Sequence, residues 1–336
     1  MPIGFDARAY VPRDLYDGIT DMRVRQPGFA DAEADRRARR RVAAPDGRLV
    51  ILAADQPGRA SLEIQDDPLA MADRHELLAR IVRVLSHAGI DGFMSTPDIV
   101  EDLLILGGLI RERGGQNPLD ERLLIGCMNR GGLPGTVWEM DDSFTAFTTR
   151  RMVVLGLDGG KVTLRIDPTD RSSSLATIAG SVRAVTELAE ANLLAFLEPL
   201  PVGRENGAYK VVRTPRALAE AVSVASAMGA SSLYTWLKLP TCPDFEQVAR
   251  ATTLPLVILG GEAVGDPGRM IEDLRRGLAA GPNVRGAMIG RNVLYPGADD
   301  PRTVAAAVSA VVHDGAGVDE ALAAMKAERG KDPELV

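Results

Sequence analysis

Eight short apolar runs divide this chain, and most are followed by a helix-like stretch. They read LVILAAD at 49–55, DGFMST at 91–96, RLLIGCM at 122–128, VTLRID at 162–167, LLAFLEP at 193–199, SLYTWLKLP at 232–240, LPLVILGG at 254–261 and GAMIGR at 286–291. They are apolar without clean alternation, as strands buried on both faces should be. The stretch 73–87 places Leu77, Leu78, Ile81, Val82 and Leu85 at a 3.6-residue period. Thr96-Pro97 reads as an N-cap with proline at the first helical position. Further helices are expected over 97–113, 172–191, 215–228, 243–251, 267–280 and 301–312. The third connection is the least defined, with 141–154 as its best helical stretch.

Eight strands that alternate with helices predict an α/β fold, the (β/α)8 TIM barrel, over 48–313. An open doubly wound sheet would normally carry a Gly-x-Gly-x-x-Gly turn after its first strand. Here Ala53-Ala54-Asp55-Gln56-Pro57-Gly58 follows instead. Residues 1–47 read as a helical N-terminal extension, ended by the turn signal Ala44-Pro45-Asp46-Gly47. Its arginines (Arg36, Arg37, Arg39, Arg40, Arg41) read as a solvated or subunit-facing helix surface. Residues 314–336 form a C-terminal tail.

The active face of such a barrel lies at the C-terminal ends of its strands. Polar residues gather there: Asp55 and Gln56 after the first run, Asn129 and Arg130 after the third, Arg165 and Asp167 in the fourth, Glu198 in the fifth, and Lys238 in the sixth. Gly260-Gly261 closes the seventh run and Gly290-Arg291 the eighth. The last two turns are where barrels often bind phosphate: glycine lets backbone N–H groups approach the anion, and arginine holds it bidentately. Arg165 and Asp167 lie two apart and so share a strand face. They are candidate substrate contacts with Gln56, or an Arg–Asp network of structural purpose.

Lysine is scarce. Of 39 basic residues only Lys161, Lys210, Lys238, Lys326 and Lys331 are lysines. Lys161 falls ahead of the fourth run, Lys210 in the loop after the fifth, and the last two in the tail. Lys238 alone is placed inside an apolar strand. Burial disfavours its charged form, and a free amine attacks a carbonyl to form a Schiff base. Glu198 and Asp55 can shuttle a proton beside it, or simply pair with it.

Together, AADQPGRASL, LEPL, YTWLKLP, LGG and GRNVLYP resemble the class I (Schiff-base) aldolases of the DeoC/LacD superfamily. That group includes deoxyribose-phosphate, tagatose-bisphosphate, sulfofructose-phosphate and archaeal-type fructose-bisphosphate aldolases. The resemblance covers roughly 48–296. It implies that Lys238 is the Schiff-base lysine, that Asp55 and Glu198 line its pocket, and that Gly261, Gly290 and Arg291 hold a substrate phosphate. Two departures stand out. Pro57-Gly58-Arg59 follows Gln56 where tagatose-type enzymes continue Asp-Gln-Arg-Gly, and Leu239-Pro240 follows the lysine. The chain is most similar to a bacterial inositol-catabolism-type subgroup. That likeness implies 2-deoxy-5-keto-gluconate 6-phosphate as substrate, with dihydroxyacetone phosphate and malonate semialdehyde as products.

Composition narrows the rest. A net charge of −7 argues against a nucleic-acid partner, and no apolar run is long enough to span a membrane. Two cysteines and no signal-like N-terminus suggest a cytoplasmic protein. His75, His87 and His313 show no metal-ligand spacing, so neither metal nor other cofactor is expected. The expected partner is a small phosphorylated substrate, with self-association into a homo-oligomer. Two rival readings keep the barrel: a metal-dependent aldolase or lyase with Asp55, Asp167 and Glu198 around Mg²⁺, and a non-catalytic barrel that binds a sugar phosphate.

Overall fold

The computed structural model describes residues 4–130, 133, 135, 136, 138–261, 265–331 and 335. Three helices lead: α1 (Ala7–Tyr10), α2 (Arg13–Arg25) and α3 (Phe29–Arg36). The alternating part then runs β1 (Leu49–Ala53), α4 (Arg74–Leu85), β2 (Gly92–Ser95), α5 (Pro97–Glu112), β3 (Leu123–Cys127), α6 (Thr149–Val154), β4 (Gly159–Ile166), α7 (Arg171–Glu190) and β5 (Leu194–Glu205). It continues through β6 (Ala208–Val211), α8 (Pro215–Ser226), β7 (Thr235–Leu239), α9 (Phe245–Ala249), β8 (Leu256–Leu259), α10 (Pro267–Leu278), β9 (Val284–Ile289), α11 (Arg291–Leu294) and α12 (Pro301–Ser309). Helix α13 (Val318–Glu328) lies within the tail.

Eight strands pair in the order β4-β3-β2-β1-β9-β8-β7-β5, and β5 returns to β4. Every one of those pairings is parallel, so the sheet closes into a (β/α)8 barrel. The ninth strand, β6, pairs antiparallel with the far end of β5 as a hairpin at the barrel mouth. No helix among the described residues is long and apolar enough to cross a membrane.

Local chemistry explains the helix starts. Pro97, Pro215, Pro267 and Pro301 each open a helix, where a missing N–H costs nothing. Thr214, Asp266 and Asp300 cap the last three by accepting backbone N–H groups. The strands are apolar on both faces because each face has its own core. Inside the barrel, Leu49, Ile51, Met94, Ile125, Phe196, Val257 and Met288 fill the floor. Outside, Leu52, Phe93, Leu124, Leu164, Leu197 and Leu239 pack against the helices. Burying each such side chain contributes about 1.5–3 kcal/mol.

Two elements differ from the sequence reading. Strand β4 starts at Gly159, three residues before the run that marked it. Paired glycines look unlike a strand. Yet a Cβ at Gly159 would sit 2.5 Å from the Leu194 carbonyl oxygen, so β5 approaches too closely for any other residue. The N-terminal arginines divide: Arg36 on α3, Arg39 and Arg41 are exposed, as a solvated face requires, but Arg37 and Arg40 turn in. The chain leaves helix at Arg37, which turns inward, fully buried, and donates to the carbonyls of Arg122 (2.7 Å) and Gly156 (3.0 Å). Arg40 reaches Asp91 at 2.7 Å. These side chains close the N-terminal end of the barrel.

Candidate active site

Alternation along β4 sends Lys161, Thr163 and Arg165 to the barrel interior, one above the other. On β5 Glu198 follows Phe196 on the inner face, and on β7 Lys238 follows Trp236. The two aromatic rings, 5.9 Å apart, form an apolar floor under a charged layer. Asp55 joins that layer from the loop after β1.

Glu198 joins two lysines. Its Oε2 lies 2.7 Å from Lys161 Nζ, and its Oε1 lies 3.1 Å from Lys238 Nζ. Lys161 also donates to Asp55 Oδ2 at 3.3 Å and to Thr163 Oγ1 at 2.5 Å. Thr163 in turn donates to Glu198 at 3.3 Å. Asn129 fixes this arrangement from β3. Its Nδ2 donates to the Thr163 carbonyl at 2.6 Å, and its Oδ1 accepts the Thr163 N–H at 2.8 Å. All four charged groups are buried.

Their surroundings push the two lysines apart. Burial opposes the charge on Lys161, but Asp55 and Glu198 outweigh it and raise its pKa. Lys238 is pushed down, chiefly by burial. Lys161 and Arg59 add to that shift against Glu198 and Asp55. Burial also opposes ionisation of Glu198, yet Lys161, Lys238 and Arg59 hold it at about 2. Arg59 and the lysines lower Asp55 still further against its own burial. The layer therefore holds two carboxylates and one firm ammonium around a lysine biased toward free amine. Titratable groups driven apart in this way mark acid and base roles. Cys127 lies beneath, its thiol pushed up to about 12 by burial and by Asp55, and is inert.

Sequence spacing set Lys161 ahead of the strand and left Lys238 as the single strand lysine; the structure corrects this. Lys161 is the more deeply buried of the two. The clue was parity, since Lys161 and Thr163 share the alternation that already pointed Arg165 inward. Arg59 was likewise not singled out for the site, though its guanidinium acts on Asp55 and Glu198. Lys210, expected in the loop after the fifth run, lies in the hairpin, 62% exposed, and pairs with Glu205 at 3.0 Å.

The other expected site residues divide. Arg165 points into the mouth, 3.5 Å from Asp142 and 3.4 Å from the Glu139 carbonyl. Asp167 accepts the N–H and hydroxyl of Thr169, both at 2.8 Å, at the entrance to α7. Among the described residues no three His, Cys, Asp or Glu side chains come together to hold a metal ion, so Asp55, Asp167 and Glu198 do not form the Mg²⁺ set considered above. Gln56 is buried against the last strand turn. A Cβ at Gly290 would lie 2.3 Å from the Ala53 carbonyl and 2.8 Å from Gln56 Nε2. Only glycine fits there. Gly261 adopts φ +68°. Arg291 Nη2 donates to the Gly261 carbonyl at 3.5 Å, and Asn292 Nδ2 to that of Gly260 at 2.6 Å. The two glycine turns thus meet at one rim. Beside it opens a cavity of about 300 Å³, lined in part by Gly260, Gly261, Thr241, Arg213, Arg269 and Asn292.

Residues 47–312 match the protein family described as Cgl0159-like. The chain belongs to the Cgl0159-like family. The solved structure of Cgl0159 from Corynebacterium glutamicum is 35% identical and superposes with a TM-score of 0.84, covering 91% of this chain and 99% of that one. The fold likeness extends past the Cgl0159-like proteins. An archaeal fructose-1,6-bisphosphate aldolase, solved with its catalytic lysine covalently bound to the carbinolamine intermediate of the substrate, is 19% identical with a TM-score of 0.56. The match covers 84% of this chain and 99% of that one. A 106-residue stretch is 36% identical to the 2-amino-3,7-dideoxy-D-threo-hept-6-ulosonate synthase of Halobacterium salinarum. It takes in 32% of this chain and spans 38% of that protein's length.

Proposed function

We propose that this protein is a class I aldolase that cleaves a phosphorylated ketose or keto acid through a Schiff base on Lys238. The observation that carries this reading is the lysine pair on Glu198, one partner held as ammonium and the other pushed toward free amine. The free amine of Lys238 adds to the substrate ketone and gives a carbinolamine. Glu198 carries the proton left on nitrogen to the carbinolamine oxygen, one further proton from solvent lets water leave, and an iminium forms. A carboxylate, Glu198 or Asp55, then takes the proton from the hydroxyl two carbons away. The carbon–carbon bond breaks, the aldehyde departs, and the electron pair enters the enamine. Protonation at carbon and addition of water release the ketone product and restore the amine. Lys161 remains cationic beside the reacting oxygens, where developing negative charge needs it.

Gly261, Gly290 and Arg291 are suited to the substrate phosphate, through close backbone approach and a guanidinium. The lysine-bound archaeal aldolase and the heptulosonate synthase are consistent with this chemistry. The sequence resemblance further favours 2-deoxy-5-keto-gluconate 6-phosphate as substrate, giving dihydroxyacetone phosphate and malonate semialdehyde. Incubation with dihydroxyacetone phosphate and borohydride should fix the adduct on Lys238, read by peptide mass mapping. An adduct on any other residue, or none, overturns the mechanism.

A further inference from the structure

The loop after β1 carries polar atoms that the lysine pair leaves without partners. Arg59 Nη2 stands 3.6 Å from Asp55 Oδ1, too far for a hydrogen bond. Arg59 Nε, Asp55 Oδ1 and Gln56 Oε1 are all buried without a hydrogen-bond partner. Each such atom costs about 1–3 kcal/mol, so three within five residues call for an explanation. A ligand that supplies the missing partners is one. Asp55 stands between Arg59, at 3.6 Å, and Lys161, at 3.3 Å, so the Arg59 guanidinium borders the reactive layer, and its charge acts on Glu198, Lys238 and Arg165. Arg165 rises from β4, and β4 stands four strands from β9 by either route around the barrel. Arg165 therefore stands on the side of the mouth away from the Gly290–Arg291 rim, with Lys238 on the wall between. Arg59, on the loop after β1, turns toward that side: its partner Asp55 meets Lys161 of β4 at 3.3 Å.

We propose that Arg59, with Arg165, forms a second anion site that reads a carboxylate at the end of the substrate opposite its phosphate. The proposal rests on the Schiff-base reading only for where the middle of the substrate sits. A planar monoanion suits two guanidinium forks. A second phosphate suits the place less well. It would bring two charges beside Asp142 and Asp55, with none of the glycine backbone that marks the rim. Gln56 Oε1 would then accept a hydroxyl of the intervening chain.

Three acyclic ligands without a ketone or aldehyde test this apart from any imine: 6-phosphogluconate, glucitol 6-phosphate and glucitol 1,6-bisphosphate, measured by calorimetry. The wild-type protein should bind 6-phosphogluconate at least about tenfold more tightly than glucitol 6-phosphate. Arg59→Gln should bring that ratio close to one, and Arg59→Lys should keep part of it. Equal wild-type affinities, no binding of 6-phosphogluconate, a stronger preference for the bisphosphate, or an unchanged ratio in Arg59→Gln each overturn the proposal. Failure of borohydride trapping would sink the lysine chemistry and leave this ratio standing; success there with a ratio of one would sink the carboxylate site alone.

Discussion

At the C-terminal end of the barrel two lysines share one carboxylate; at the N-terminal end one histidine is held between two. His313 Nδ1 lies 2.6 Å from Asp46 Oδ2, and its Nε2 lies 3.1 Å from Asp91 Oδ2. Asp91 also takes Arg40 and the N–H of Val50, while Asp158 takes the N–H of Leu124 beside Arg37. These aspartates tie the strand starts to the extension and to the segment after α12. The lower cluster satisfies its charges and holds the chain ends. The upper cluster sets two lysines on one carboxylate and pushes one of them toward its neutral form. Buried charge builds a clasp where each carboxylate meets its own cation, and a candidate reactive centre where two lysines compete for one carboxylate.

The largest expected effect breaks the upper cluster. Lys238→Ala should lower kcat by at least about 10⁴-fold, because Lys161, held as ammonium, is a poor substitute for the proposed nucleophile. Steady-state cleavage of 2-deoxy-5-keto-gluconate 6-phosphate measures it. Next comes the asymmetry between the lysines. Lys161→Met leaves Asp55 facing only a distant Arg59 and should cost about 3–5 kcal/mol in denaturant melts. Lys238→Met keeps Glu198 on Lys161 and should cost well under half of that. Losing Lys161 also removes a cation that depresses Lys238, so any residual activity should show its acid limb at higher pH than wild type.

The lower cluster should behave oppositely. Its hydrogen bond to Asp91, first, and that to Asp46 raise His313 from 6.5 to about 9. A raised folded-state pKa stabilises fully below pH 6.5, and the contribution is lost as pH climbs through about 9. It amounts to about 2–3 kcal/mol. His313→Gln should flatten that part of the Tm–pH curve while kcat stays within about twofold. The smallest effect belongs to Lys210→Gln on the hairpin. An exposed pair of this kind should change stability by less than about 1 kcal/mol, with activity unchanged.

Much of this was legible along the chain. Apolar runs and proline-led helices marked the barrel, because buried strands and capped helices leave local signatures. Lys238, Glu198 and Asp55 stood out as polar residues at apolar strand ends. Lys161 did not, because two glycines hid the start of its strand. Gly159 answers to the Leu194 carbonyl on the neighbouring strand and Gly160 to the side chains of Met128 and Leu188, contacts with no trace in local composition. The β5–β6 hairpin has no local signal because it leaves the barrel wall and answers to Met140 and to Leu259 at the end of β8.

The scarcity of lysine was a property of the sequence alone, and so was the placing of Lys238 within an apolar strand. Periodicity and turn chemistry determined the barrel in the same way, since both act over a few neighbouring residues. What only the tertiary structure decided is that Lys161 stands on the same carboxylate as Lys238, and that their environments drive their charges apart. Burial and Coulomb forces depend on which strands meet around the barrel, and closure of β5 onto β4 brings Glu198 to Lys161 across more than thirty residues of chain.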